Sequence, residues 1–194
     1  MRKWLLGMLI GVSALGQLVF APSAPAAEVE GVAVEDRVEV GGVPLLLNGA
    51  GMRAIYIVKA YVAALYVQRR SADAQTLLAQ PGPWRLSLTM LADLSGEWLA
   101  QRVQDGVRES SDADTWKRLR PRVAQLVETI EAVGRTRRGE RVDVDCVDGA
   151  VTVSIDGQRV GPPIPSEELF RALLRMFVGE RPVDAELKRS LLGQ

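Results

Sequence analysis

Histidine is missing from all 194 residues of this chain. Its absence removes imidazole general bases, Ser-His-Asp and Cys-His nucleophile pairs, and histidine-based metal sites together. Cysteine is nearly as scarce: Cys146 is alone, so no internal disulfide can form and the fold must rest on core packing. Net charge is lacking too. Lys and Arg total 24, as do Asp and Glu, so no overall field recruits nucleic acid. Asp143 and Asp145 share one face of a strand pattern, but no third ligand is visible. They read as solvent-exposed, not as a metal site, and no cofactor is expected.

A membrane-spanning run is also absent beyond residue 26, because Lys59 interrupts the only candidate. The first 26 residues differ. Arg2 and Lys3 are followed by an uncharged apolar run from Trp4 to Phe20, and Ala24 and Ala26 stand in the A-x-A positions of a signal-peptidase site. Residues 1–26 therefore read as a signal peptide, with a retained anchor as the alternative, and residues 27–194 as one exported, periplasmic domain. Without Arg2 and Lys3 the 24 basic residues become 22 against 24 acidic, a net charge of −2. With 47% apolar and 25% charged residues, such a chain can bury a proper core.

Most local elements can be read from periodicity and punctuation. Arg37–Val40, a Gly41-Gly42 turn and Val43–Leu47 predict a hairpin. Ile55–Val67 predicts one long strand, with a buried helix as competitor over Val58–Val67. If unbroken, that strand puts Arg53, Ile55, Ile57, Lys59 and Tyr61 on one face. Ser71 predicts the N-cap of a helix to Ala79, and Trp84–Met90 a strand presenting Trp84, Leu86, Leu88 and Met90 together. Ser95 caps a helix to Glu109 with Trp98, Leu99, Val103 and Val107 as its stripe. Another helix starts at Ser111 or Asp112, with Pro121 at a boundary or first turn, and Val123 to Val133 recur at helical spacing up to Gly134. Arg141–Val147, Asp148-Gly149 and Val151–Ile155 form the clearest hairpin. Ser166 caps a helix to Val178, and a short helix begins near Asp184. Strands first, helices between and a hairpin after them predict an α+β domain with an antiparallel sheet.

The chemical interest lies in LLLNGAGMRAIYIVKAYVAALYV, Leu45 to Val67. An apolar run breaks at Asn48-Gly49-Ala50-Gly51, and one guanidinium, Arg53, stands at the mouth of the next. Arg53 is either a ligand anchor or a structural tie holding that turn to the sheet. Lys59 reads as a snorkelling edge lysine, and Cys146 as a small buried hydrophobe. The basic cluster Arg135–Arg141 reads as a solvated turn, with contact to anionic lipid headgroups as the alternative.

The stretch Leu47–Arg53, then Val58–Val67, resembles the signature of chalcone isomerase-like proteins, in their exported bacterial branch. Val178–Asp184 with Leu187-Lys188 and Leu191-Leu192 is similar to that family's ending, and Ser166–Leu174 fits its preceding helix. The resemblance implies an open-faced β-sandwich: a large antiparallel sheet, a helical layer and an apolar cleft between them. Chalcone isomerases close a flavanone ring by intramolecular addition of a phenolate to an enone, an arginine holding the anion while hydroxyl and amide groups position the ketone and a water. Arg53 falls on that arginine. Tyr61 stands at the threonine, Trp98 at the tyrosine, Asp105 at the asparagine and Met176 at the late hydroxyl residue. One retained group of five argues against cyclisation. Non-enzymatic members of the fold hold fatty acids, with the arginine clamping the carboxylate. The resemblance therefore implies a binder of a fatty or aromatic acid, with Arg53, Tyr61, Trp98, Asp105 and Met176 around the ligand. An isomerase acting on a chalcone-like enone and a ligand-free envelope accessory protein are the alternatives.

Overall fold

The computed structural model describes residues 25–194; the expected signal peptide lies almost wholly outside them. A hairpin of β1 (Pro25–Val29) and β2 (Val32–Glu35) comes first. Next are β3 (Arg37–Val40), β4 (Val43–Ile55), β5 (Val58–Val67), helix α1 (Ala74–Ala79) and β6 (Trp84–Met90). An excursion follows: two-residue β7 (Leu94–Ser95), helices α2 (Gly96–Glu109) and α3 (Ala113–Glu131), and two-residue β8 (Arg135–Thr136). The chain ends with β9 (Arg141–Val147), β10 (Ala150–Ile155), β11 (Gln158–Pro165), α4 (Glu167–Val178) and α5 (Ala185–Leu191).

Seven strands form one antiparallel sheet in the order β11-β10-β9-β6-β5-β4-β3. It is a curled meander interrupted once, where α2 and α3 leave after β6 and the chain returns as β9 beside it. The small β7–β8 pair closes the base of that excursion, Leu94 opposite Thr136 and Ser95 opposite Arg135. The expected α+β class with an antiparallel sheet is what forms.

Both faces of the central strands are covered, which explains why β5 lacks a polar alternation. Tyr61, Ala63, Leu65 and Val67 join Trp84, Leu86, Cys146, Phe170, Leu174 and Leu191 in the core under the helices. Val62, Ala64 and Tyr66 face the other way, with Val34, Val40 and Leu45 beneath the N-terminal hairpin. Trp84 stacks on Phe170 of α4 with ring centroids 5.4 Å apart.

Five expectations change. The strand foreseen from Ile55 to Val67 folds back at Tyr56-Ile57, and its helical competitor over Val58–Val67 does not form. The Asn48–Gly51 break is no turn: those residues run inside β4, with a bulge at Asn48. Glycine is needed there because α5 lies directly on the strand. A Cβ on Gly49 would stand 2.1 Å from the Ser190 carbonyl oxygen, and one on Gly51 2.5 Å from Ser190 Cβ. Asn48 makes the tie instead, its amide donating to the Leu191 carbonyl at 2.7 Å and its oxygen accepting from the Ser71 N–H. The cap of α1 is Asp73, whose carboxylate accepts from the Thr76 N–H at 2.7 Å; Ser71 braces it by accepting from the Asp73 N–H. Helix α3 passes through Pro121 without breaking. The bond lost there is offset by burying Leu119, Val123 and Leu126 on one stripe.

The fifth change concerns Asp143 and Asp145. Neither is freely exposed: Asp143, beside the N-terminal hairpin, retains only 2% of its accessibility, and Asp145 is half-buried. Asp143 accepts from the Ser87 hydroxyl at 2.6 Å and lies 3.3 Å from Arg141 Nε. Asp145 takes a two-point bond from Arg85, both contacts 2.7 Å. Removing one partner of such a buried network leaves the others desolvated and unpaired. Asp143→Ala is therefore expected to destabilise the fold by about 3 kcal/mol, read as a shifted urea midpoint.

Cys146 is buried as expected, and burial pushes its thiol up to about 12. The thiolate is the reactive form, so at pH 8 a thiol reagent should label the native protein only as fast as it unfolds. Rapid labelling without denaturant would contradict that packing. The raised value also gives the pH sign. From about pH 9, where an unfolded thiol ionises, up to about 12, the unfolded chain releases a proton that the folded chain keeps. Stability is full below that window and falls across it.

Candidate functional site

The β4–β5 hairpin builds the polar end of the site. Arg53 of β4 is directly opposite Tyr61 of β5, so the two side chains emerge on the same face, toward the helices. They share a face as expected, but as cross-strand partners rather than as residues of one strand. A bulge just beyond them sets Ala54 opposite Lys59. Lys59 is thereby carried out of the site to an exposed ion pair with Glu30.

Arg53 donates from Nη1 to the Tyr61 hydroxyl oxygen at 3.1 Å, its guanidinium carbon 6.0 Å from the ring centre. Among the described residues no carboxylate lies within salt-bridge distance of Arg53. Tyr61 is buried, and burial raises its phenol pKa above the usual value. The Arg53 charge and hydrogen bond oppose that rise, and Asp184 adds slightly to it. The phenol stays protonated at neutral pH. Because its oxygen accepts from Arg53, its own O–H is left to donate elsewhere.

These two groups face a largely apolar cavity of about 90 Å³ between the sheet and the helical layer. That is several times the space a single water needs. Leu88 and Met90 of β6 and Val142 and Val144 of β9 form its floor, while Leu99 and Val103 of α2 and Leu173 and Phe177 of α4 form its roof. Ser95 starts α2 by accepting from the Trp98 N–H, which aims Trp98, Leu99, Arg102 and Val103 at the cavity. Gly106 lets α4 close on α2: a Cβ there would lie 2.2 Å from Met176 Sδ.

Of the five expected residues, Arg53, Tyr61, Trp98 and Met176 line this cavity. Asp105 does not. One helical turn past Arg102, its carboxylate accepts from that guanidinium at 2.9 Å and from the Gln101 amide. Helix geometry sets Asp105 two turns, about 10 Å, beyond Trp98, and the α2 residues that line the cavity end at Val103. Arg102 is the group that sequence reasoning missed. It lines the cavity with its guanidinium 6.0 Å from the Trp98 ring centre. The i,i+4 spacing of Trp98 and Arg102 was the available signal.

A family model described as chalcone isomerase-like matches residues 26–193. The chain belongs to the chalcone isomerase-like family. Among solved structures, a fatty-acid binding protein of Arabidopsis thaliana superposes with a TM-score of 0.67 over 84% of this chain and 92% of its own, at 15% identity. Identity that low carries the shared fold and no more. No curated protein sequence matches the chain. The curled sheet with its helical layer is thus the fold of the chalcone isomerase-like family, as the motifs around Arg53 and Glu180 implied. No helix among the described residues is long and apolar enough to cross a membrane.

Proposed function

We propose that this member of the chalcone isomerase-like family is an exported bacterial binder of a small apolar acid, fatty or aromatic, held in the cleft by Arg53. One observation carries the reading: a guanidinium without a carboxylate partner among the described residues opens onto an apolar cavity. A carboxylate placed there would gain charge-assisted bonds from Arg53 and a further bond from the Tyr61 hydroxyl. The apolar walls would take the chain or ring. Export rests on the N-terminal pattern of Arg2, Lys3, the apolar run and Ala24–Ala26.

Among the described residues the cavity wall carries no carboxylate, lysine or histidine to move a proton, and the Thr136 hydroxyl is committed to the Leu94 carbonyl. Charge stabilisation without a general base favours holding an anion over reacting it. Native mass spectrometry of gently purified protein tests the proposal. A co-purifying carboxylic acid, displaceable by added fatty acid, is the expected result. Turnover of a chalcone above its spontaneous rate, with no acid retained, would replace this reading with the isomerase.

A further inference from the structure

Among the described residues five strand pairs are joined by two-residue turns, and four follow one rule. Glu30-Gly31, Gly41-Gly42, Asp148-Gly149 and Asp156-Gly157 each put glycine second, where the backbone enters the left-handed region. Such turns favour glycine, asparagine and aspartate, because other side chains are strained there. The fifth turn, between Ile55 and Val58 at the tip of the Arg53 hairpin, is Tyr56-Ile57. Tyr56 holds φ 54, and the two side chains are 99% and 97% exposed, with Val58 half-exposed beside them. The sheet gains nothing from this choice. Tyr56 accepts a left-handed backbone, and Ile57 stands beside it, only for both side chains to face solvent.

The surroundings say what they face. Val58, Lys59, Leu91, Ala92 and Arg138 border one shallow depression at the foot of the tip, together with Glu30. Lys59 occupies Glu30, and Arg135 lies 3.9 Å from Asp93. Arg137 and Arg138 remain exposed, and among the described residues neither guanidinium has a carboxylate within salt-bridge distance. An apolar tip bearing a tyrosine, with the Arg138 guanidinium at its foot and Arg137 next to it in the chain, suits the boundary between lipid headgroups and acyl chains. Arg53 lies near the end of β4, three residues before Tyr56 of the turn and within about 10 Å of it along the backbone.

We infer that the β4–β5 hairpin tip is a membrane-docking element: Tyr56, Ile57 and Val58 enter an anionic lipid surface, and Arg137 and Arg138 meet its headgroups. This deepens the acid-binding reading, since docking brings the Arg53 end of the cleft to the layer where lipid-derived acids reside. The docking itself requires no ligand.

Co-sedimentation with vesicles tests it, using residues 27–194, which hold the seven-stranded sheet, the helices and both cores. Equimolar phosphatidylglycerol and phosphatidylcholine should retain the protein, and pure phosphatidylcholine should not. The double variant Tyr56→Asn, Ile57→Gly installs the pair that tight hairpins prefer, so it should melt no lower than the parent. It should nevertheless bind the anionic vesicles about tenfold more weakly or worse. Arg137→Gln with Arg138→Gln should weaken binding by about tenfold as well. Arg53→Ala should leave vesicle binding unchanged while losing the acid, which separates the two readings. The inference is overturned if the parent ignores anionic vesicles or the Asn-Gly variant binds them equally. Sedimentation velocity showing a dimer that the Asn-Gly variant dissolves would overturn it too, assigning the tip to a second copy of the chain.

Discussion

Arg53→Ala should weaken binding of a fatty or aromatic acid by about 10- to 100-fold while leaving the protein folded. The range follows from losing charge-assisted hydrogen bonds, each set worth about 1.5–3 kcal/mol when the partner is a charged group. Stability should move by no more than about 1 kcal/mol, because among the described residues this side chain makes one hydrogen bond, to the Tyr61 hydroxyl. A neutral ligand of the same shape, such as the corresponding fatty alcohol, should bind parent and variant alike. Displacement of a fluorescent acid, with a urea melt alongside, measures both quantities. If the variant unfolds with its affinity intact per folded molecule, Arg53 is a structural tie. Asn48 already holds that structural role, through its bonds to Leu191 and Ser71.

The largest loss of stability is expected from Gly49→Ala. Its new methyl group would meet the Ser190 and Leu191 carbonyl oxygens at 2.1 and 2.7 Å, and those atoms are backbone. Helix α5 must then lift from β4, exposing Leu187 and Leu191, which are otherwise buried against the sheet. We expect a cost of about 3 kcal/mol or more, a fall in the urea midpoint of about 1–2 M. Gly51→Ala should cost less, because its nearest neighbours are the Ser190 and Leu187 side chains, which can shift. An effect below about 0.5 kcal/mol at Gly49 would mean that α5 does not sit on the strand as described.

Together these two variants explain one motif. In Asn48-Gly49-Ala50-Gly51-Met52-Arg53, the asparagine and the glycines seat the C-terminal helix, and the arginine two residues later lines the cavity. Read along the chain, the glycines suggest a turn, because glycine most often marks one. The helix that needs their missing side chains arrives from some 140 positions away. The same distance hid the aspartates. Asp143 and Asp145 look solvated on an alternating strand, since nothing nearby shows that the first hairpin will cover that face and that Arg85 and Ser87 will meet them.

The sequence by itself determined the elements that end on local chemistry. Ser95 and Ser166 cap their helices, Asp148-Gly149 turns its hairpin, and the alternation of Trp84–Met90 assigns its two faces. Each depends on atoms within a few residues, so spacing and residue type suffice. The motifs around Arg53 and Glu180 also carried the family, and with it the layered fold. Tertiary structure alone decided what meets across the layers. Tyr61 came to face Arg53 because the chain reverses at Tyr56-Ile57, a pair with none of the usual turn chemistry. Asp105 left the site because the stretch of α2 bordering the cavity ends at Val103, before α4 closes on α2 at Gly106, and Arg102 entered within that stretch. Packing is a relation between surfaces distant in the chain, and a single strand or helix pattern holds only half of it.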